Sequence, residues 1–179
     1  MALIDKTYFD IRLIKVPNLE VEAREERLNE YIEEYQDVYL DIMLGVKLKN
    51  EFLAGLDATP PIEGKWLRLR DGFEYEVSGI VYRWQGFVND KKLSPIANYT
   101  YAKLATDNQF KMTDPGETKP SVENALVVAP YYRVSKVWNE MVRLNIDLLN
   151  FLYEFEEDYP SWDIPHKTPL LSIDNGIGL

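Results

Sequence analysis

The sequence predicts a mainly helical α+β domain: a helical bundle of two long and two shorter helices carrying a small antiparallel β-hairpin. Three observations predict it. Residues 19–44 and 131–159 each run without an interior glycine or proline and bring apolar side chains round at three- and four-residue steps. Between them "WLRLRDGFEYEV", residues 66–77, alternates apolar and polar side chains about Asp71-Gly72, a hairpin signal. No internal repeat or low-complexity tract interrupts the chain, and 179 residues are enough for one domain with a sizeable core. The expected organisation is one domain over residues 1–159, with the hairpin at 66–84 and a long loop at 109–130, followed by an extended tail at 160–179.

Each element has its own signals. Asn18 is placed to cap the first long helix, and Glu20 and Glu22 put negative charge in its first turn, where the helix dipole favours it. Leu28, Tyr31, Ile32, Tyr35, Val38, Tyr39, Ile42 and Met43 form one apolar stripe, so Tyr35 and Ile42 are expected on the buried face. Gly45 suits the left-handed backbone just past a helix end. "VKLKNEFLAGL" reads as a short helix stopped by Gly55. "DATPPIEG" reads as a loop, because Pro60 and Pro61 lack donors and restrict their neighbours.

In the hairpin, a three-residue loop at residues 70–72 pairs Leu69 with Phe73 and sets Arg68 opposite Glu74, with Gly72 at positive φ. That register keeps one face apolar. Beyond Gly79 the alternation resumes as Ile80, Tyr82, Trp84, one step out of phase; a bulge at Gly79, or a turn into a third short strand, restores it. Ser94-Pro95 opens the second short helix as cap and first residue, with Ala97, Tyr101, Leu104 and Ala105 facing inward and the helix fading near Asn108. The last helix, 131–159, is about 40 Å long at 1.5 Å per residue. Val134, Trp138, Met141, Asn145, Leu148, Leu152 and Phe155 step along it by fours and threes. Leu144, Leu149 and Phe151 widen the stripe, so burial on more than one side is expected, with Trp138, Met141, Leu148 and Leu152 in the core.

Composition excludes several classes of chemistry. With no cysteine in the chain, disulfides, thiolate zinc sites and cysteine nucleophiles are ruled out. The N-terminal residues mix charge into their apolar positions and lack a signal-peptide core, and no window approaches the ~20 apolar residues of a membrane helix, so a soluble, unexported protein with no membrane contact is expected. The net charge of −10 is unevenly spread: residues 1–44 hold 5 basic and 11 acidic side chains, residues 45–136 hold 13 and 11, and residues 137–179 hold 2 and 8. No basic face suited to phosphate is visible. His166, the one histidine, stands alone between Pro165 and Lys167. Glu33, Glu34, Asp37 and Asp41 lie off the apolar stripe and read as a solvated face before they read as a metal or acid–base site. "DPGE" and "GIG" lack the strand–turn–helix context of a phosphate loop. The expectation is a protein that is not an enzyme and has no cofactor, metal or catalytic residues; a metal-dependent hydrolase is the distant alternative.

The long loop and the tail are what remain. Loops beyond about 12–15 residues without structure are usually functional or disordered. "TDPGETKPSVEN" offers both charge signs and a Pro-Gly turn, and "WDIP" and "PLLSI" display apolar groups in a proline-rich tail. The candidate inter-subunit or partner contacts are therefore Asp114, Glu117, Lys119 and Glu123 in the loop and Trp162, Ile164, Leu170 and Leu171 in the tail.

The run of "SPIANYTYAKL", "GETKPSVENA" and the helix "VSKVWNEMVRLNIDLLNFLYEF" resembles head–tail connector (adaptor, neck) proteins of tailed bacteriophages, nearest to those of Bacteroidetes phages and prophages, over residues 19–159. The hairpin departs from the simplest, all-helical members. The resemblance implies a structural virion protein, assembled in the bacterial host cytoplasm. It forms a homo-oligomeric ring, commonly of twelve, between portal and tail proteins. DNA passes through such a ring without specific binding, and loops and termini reach neighbouring subunits. Another tail-completion or interaction module is the alternative. The family has no catalytic motif to carry over.

Overall fold

The computed structural model describes residues 2–10, 14–17, 19–60, 62–109, 111–113, 116–118, 130–163 and 169–174. It is a mainly helical α+β fold of four helices and two small hairpins: α1 (Glu22–Asp57), α2 (Gly64–Asp71), β1 (Phe73–Val77), β2 (Ile80–Trp84), α3 (Pro95–Gln109), β3 (Lys111–Thr113), β4 (Gly116–Thr118) and α4 (Pro130–Glu154). Among the described residues no helix is long and apolar enough to cross a membrane.

The two helices expected on either side of Gly45 form one bent element. Gly45 takes φ 75° and ψ 153°, as its left-handed assignment required, but the chain re-enters helix at once. The bend brings Lys49 back onto the first arm, where its ammonium lies 2.8 Å from Asp37 and 2.7 Å from Asp41. Burial alone would lower the Lys49 pKa, yet the two carboxylates raise it. These two acids, weighed above with Glu33 and Glu34 as a metal or acid–base site, thus share one internal cation. Asn18 lies outside the described residues, and Val21 takes the N-cap position. Gly55 does not stop the helix, which runs on to Asp57. It is small because Trp66 packs there: a Cβ at residue 55 would lie 2.3 Å from the indole nitrogen.

The first half of the expected hairpin is helix, and this is the main correction to the fold. Trp66 and Leu69 are three residues apart and both buried, Trp66 beside the Phe52 ring. The gain from burying that pair on a helical face outweighs the alternation of Leu67 and Leu69. The Leu69–Phe73 and Arg68–Glu74 pairs are therefore absent. β1 pairs instead with β2, Phe73 opposite Trp84, Glu74 opposite Arg83 and Tyr75 opposite Tyr82. Ser78 and Gly79 close the turn at φ 53° and 81°, the left-handed geometry that suits strand twist. This is the turn into another strand allowed for at Gly79.

Gly72 does have positive φ (95°), but as the cap of α2, its N–H donating to Arg68 O. A Cβ there would also sit 2.6 Å from the Trp84 carbonyl oxygen. Gly72→Ala is expected to lower stability by more than the ~1 kcal/mol of backbone strain alone. Gly79→Ala, at φ 81° with nothing within 4 Å, provides the strain-only comparison by urea denaturation.

α3 packs against both α1 and α4. It begins after Ser94 as expected and extends to Gln109. Tyr31 OH donates to Asp107 across the α1–α3 seam, and Tyr35, Tyr39, Tyr99 and Phe87 make a run of edge and tilted ring contacts. β3 and β4 form a small hairpin inside the stretch read as a structureless loop. On α4, Met141, Leu148, Phe151 and Leu152 are fully buried, whereas Trp138, like Tyr35 and Ile42 on α1, is half-buried at the core's edge. Leu148→Ala should cost about 2–5 kcal/mol in chemical denaturation, because the site is closed on all sides. The N-terminal residues Leu3, Ile4, Tyr8 and Phe9 also enter the core.

Candidate functional site

The residues proposed for contacts fall into two groups. Asp114, Lys119, Glu123 and Ile164 lie outside the described residues, as does His166. Glu117 lies in β4, its backbone paired with Met112.

The tail residues are placed differently from expectation. Trp162 donates its indole N–H to Met43 O at 3.1 Å, one of the carbonyls left over where the first arm of α1 ends at the bend. Ser161 donates to Glu51 on the second arm. Leu170 is 2% exposed, and Leu171 packs against the core beside it. Four side chains of α4 hold this segment: Trp138 Nε1 donates to Ser172 O, Asn145 Nδ2 to Leu170 O, Ser135 Oγ to the Asp174 carboxylate, and Asn139 exchanges two hydrogen bonds with Asp174. Asn145, fully buried, also accepts from Tyr39 OH and so joins α1, α4 and the tail. Over 160–163 and 169–174 the tail is thus a strap on its own chain. The apolar groups expected to be displayed by the tail are instead turned inward at Leu170 and Leu171: few apolar residues suffice when polar partners on α4 are already in place.

Exposed apolar groups collect elsewhere. Ile80 and Val81 are 57% and 62% exposed, and Tyr82 is more than a third exposed. They lie in β2 of the β1–β2 hairpin. At its base the hairpin is rigidly held: Trp84 is buried and donates to Leu69 O at 2.9 Å. Phe73 and Tyr75 meet Phe155 edge-on, and Tyr75 also meets Phe151. Between the hairpin and α4 lies a groove of about 360 Å³ lined by Tyr75, Val77, Tyr82, Asn150, Tyr153 and Glu154. The Tyr75 and Tyr82 rings stack at 5.8 Å to form its hairpin wall. Glu154 gives the groove an acidic edge, and burial, with the charges of Asp147 and Glu154, pushes the Tyr75 hydroxyl pKa up. Arg83 lies on the hairpin's other face, opposite Glu74.

No family model, curated protein or solved structure matches this chain. Its own surface therefore carries the functional reading. Among the described residues no three acidic or histidine side chains are grouped to hold a metal ion. What the hairpin and α4 do offer is a groove with tyrosine walls and an acidic edge, beside the exposed Ile80. Sequence reading missed it, although the signal was present. Ile80-Val81-Tyr82 is an apolar run on a strand whose neighbours point alternately, so one face must stay uncovered unless a further layer is added.

Proposed function

We propose that this chain is a structural assembly protein, a head–tail connector subunit of a tailed bacteriophage that forms a ring between portal and tail. The observation that carries the reading is the apolar surface of Ile80, Tyr82 and Tyr153 left uncovered beside the groove on a rigid aromatic base, with Val81 exposed on the hairpin's opposite face. Contiguous exposed apolar surface on a well-packed domain marks a protein contact. The resemblance over residues 19–159 supplies the kind of assembly: a closed homo-oligomer, of twelve subunits by likeness, touching portal and tail proteins in the virion after assembly in the host cytoplasm. A net charge of −10 suits a ring through which DNA travels without being gripped.

Sedimentation of the purified chain over a concentration series tests this. The expected result is a multi-subunit species that Ile80→Glu converts to monomer, with stability changed by no more than about 0.5 kcal/mol, the usual range for surface substitutions. A wild-type chain that stays monomeric throughout contradicts the reading.

A further inference from the structure

The same helix that supplies one wall of the groove carries a matching surface at its other end. Tyr132, Lys136, Arg143, Ile146, Asn150 and Tyr153 step along α4 by fours, threes and sevens, and all six face solvent. Asn139, in the same row, lies under the tail. The row is chemically polar along its length. At the N-terminal end Tyr132 is 60% exposed, with the Lys136 ammonium 4.4 Å from its ring centroid, a cationic aromatic knob. At the C-terminal end lie the groove and Glu154, followed by Glu156 and Glu157.

This polarity does not serve the helix. The helix dipole favours acids in the first turn and bases in the last, and α4 has neither. Arg133 in its first turn and Glu154 in its last are placed the opposite way. Arg133 is accounted for by its bond to Lys15 O and its place over the Tyr101 ring. Among the described residues Glu154 and Lys136 make no ion pair. Both charges are exposed and free to meet a charge of opposite sign on another molecule.

We propose that the Tyr132–Lys136 knob of one copy seats in the Tyr82–Tyr153 groove of the next, head to tail, with Lys136 facing Glu154. The inference rests on the assembly reading above and deepens it by naming the contact. The groove has room for a tyrosyl ring with the lysine stem beside it, and the charges are opposite. Lys136 and Glu154 are 18 residues, five whole turns, apart and share one face of α4; a heterologous contact seats successive copies at opposite ends of that face and propagates, where an antiparallel two-fold pairing would close at two copies. Lys136 and Glu154 are about 27 Å apart along α4 at 1.5 Å per residue, so they cannot meet within one chain.

The absence of cysteine makes the test clean. Lys136→Cys and Glu154→Cys proteins are mixed under mild oxidation. The expected product is a disulfide joining one to the other, with neither protein linking to itself. A chain carrying both cysteines should link into a ladder beyond dimers; a self-link of either single variant, or a doubly substituted chain that stops at dimers, overturns the head-to-tail geometry. So does an absence of links while sedimentation still shows an oligomer, which leaves the assembly reading standing; a monomeric wild type removes both. Independently, Lys136→Glu should weaken association about tenfold or more, and adding Glu154→Lys in the same chain should restore it. Failure of that restoration also counts against the contact.

Discussion

Deleting residues 161–179 is expected to lower the melting temperature of the single subunit by 10 °C or more, at roughly 2–4 °C per kcal/mol for a chain of this size. Loss of Leu170, 2% exposed, is equivalent to a buried leucine truncation of about 2–5 kcal/mol. The deletion also strips Asn145 Nδ2 of its acceptor inside the core, and an unsatisfied buried donor costs about 1–3 kcal/mol. Met43 O at the α1 bend loses its indole donor as well. Together these approach the whole stability of an ordinary domain, about 5–15 kcal/mol. Circular dichroism melting of the truncated chain provides the check. A shift below about 3 °C would show the strap to be incidental to the fold.

Trp84→Ala is the second large effect. The indole is fully buried at the root of the hairpin, packs edge-on against Phe87 at 5.2 Å and holds the end of α2 through Leu69 O. Removing a buried aromatic of this size should cost about 3–5 kcal/mol. It should also loosen the hairpin selectively. Amide exchange in residues 73–84 is expected to rise more than exchange in the α1–α3 seam. Uniform acceleration across both regions would mean that the hairpin is not a separately held element. Because the groove wall is built on this root, a destabilised but still folded Trp84→Phe protein should associate more weakly than the wild type.

The long helices were legible because their signals are local and repeated. The α4 row of Met141, Leu148 and Leu152 needs nothing beyond its own spacing to identify the buried side. Gly45 was legible as a left-handed position but not as a bend, since whether the chain continues as helix depends on Asp37 and Asp41 waiting for Lys49. Residues 66–71 were misread because alternation and helical spacing both fit so short a run. The arbiter was the surface of α1 at Phe52 and Gly55, which lies outside any local window. The tail was misread for a related reason. Its few apolar residues have no periodicity, and the partners that hold it, Trp138, Asn139 and Asn145, are distributed along α4. The exposed hairpin strand is the converse case. Its apolar run is plain in the sequence, but its significance appears only once the fold leaves it uncovered.

Electron micrographs of the purified chain, averaged in end-on view, test the central claim most directly. A connector subunit that docks knob into groove should give closed rings of uniform diameter with an open centre, and Ile80→Glu should abolish them without unfolding the chain. Two-fold dimers, open filaments or dispersed monomers from the wild-type chain would contradict the account.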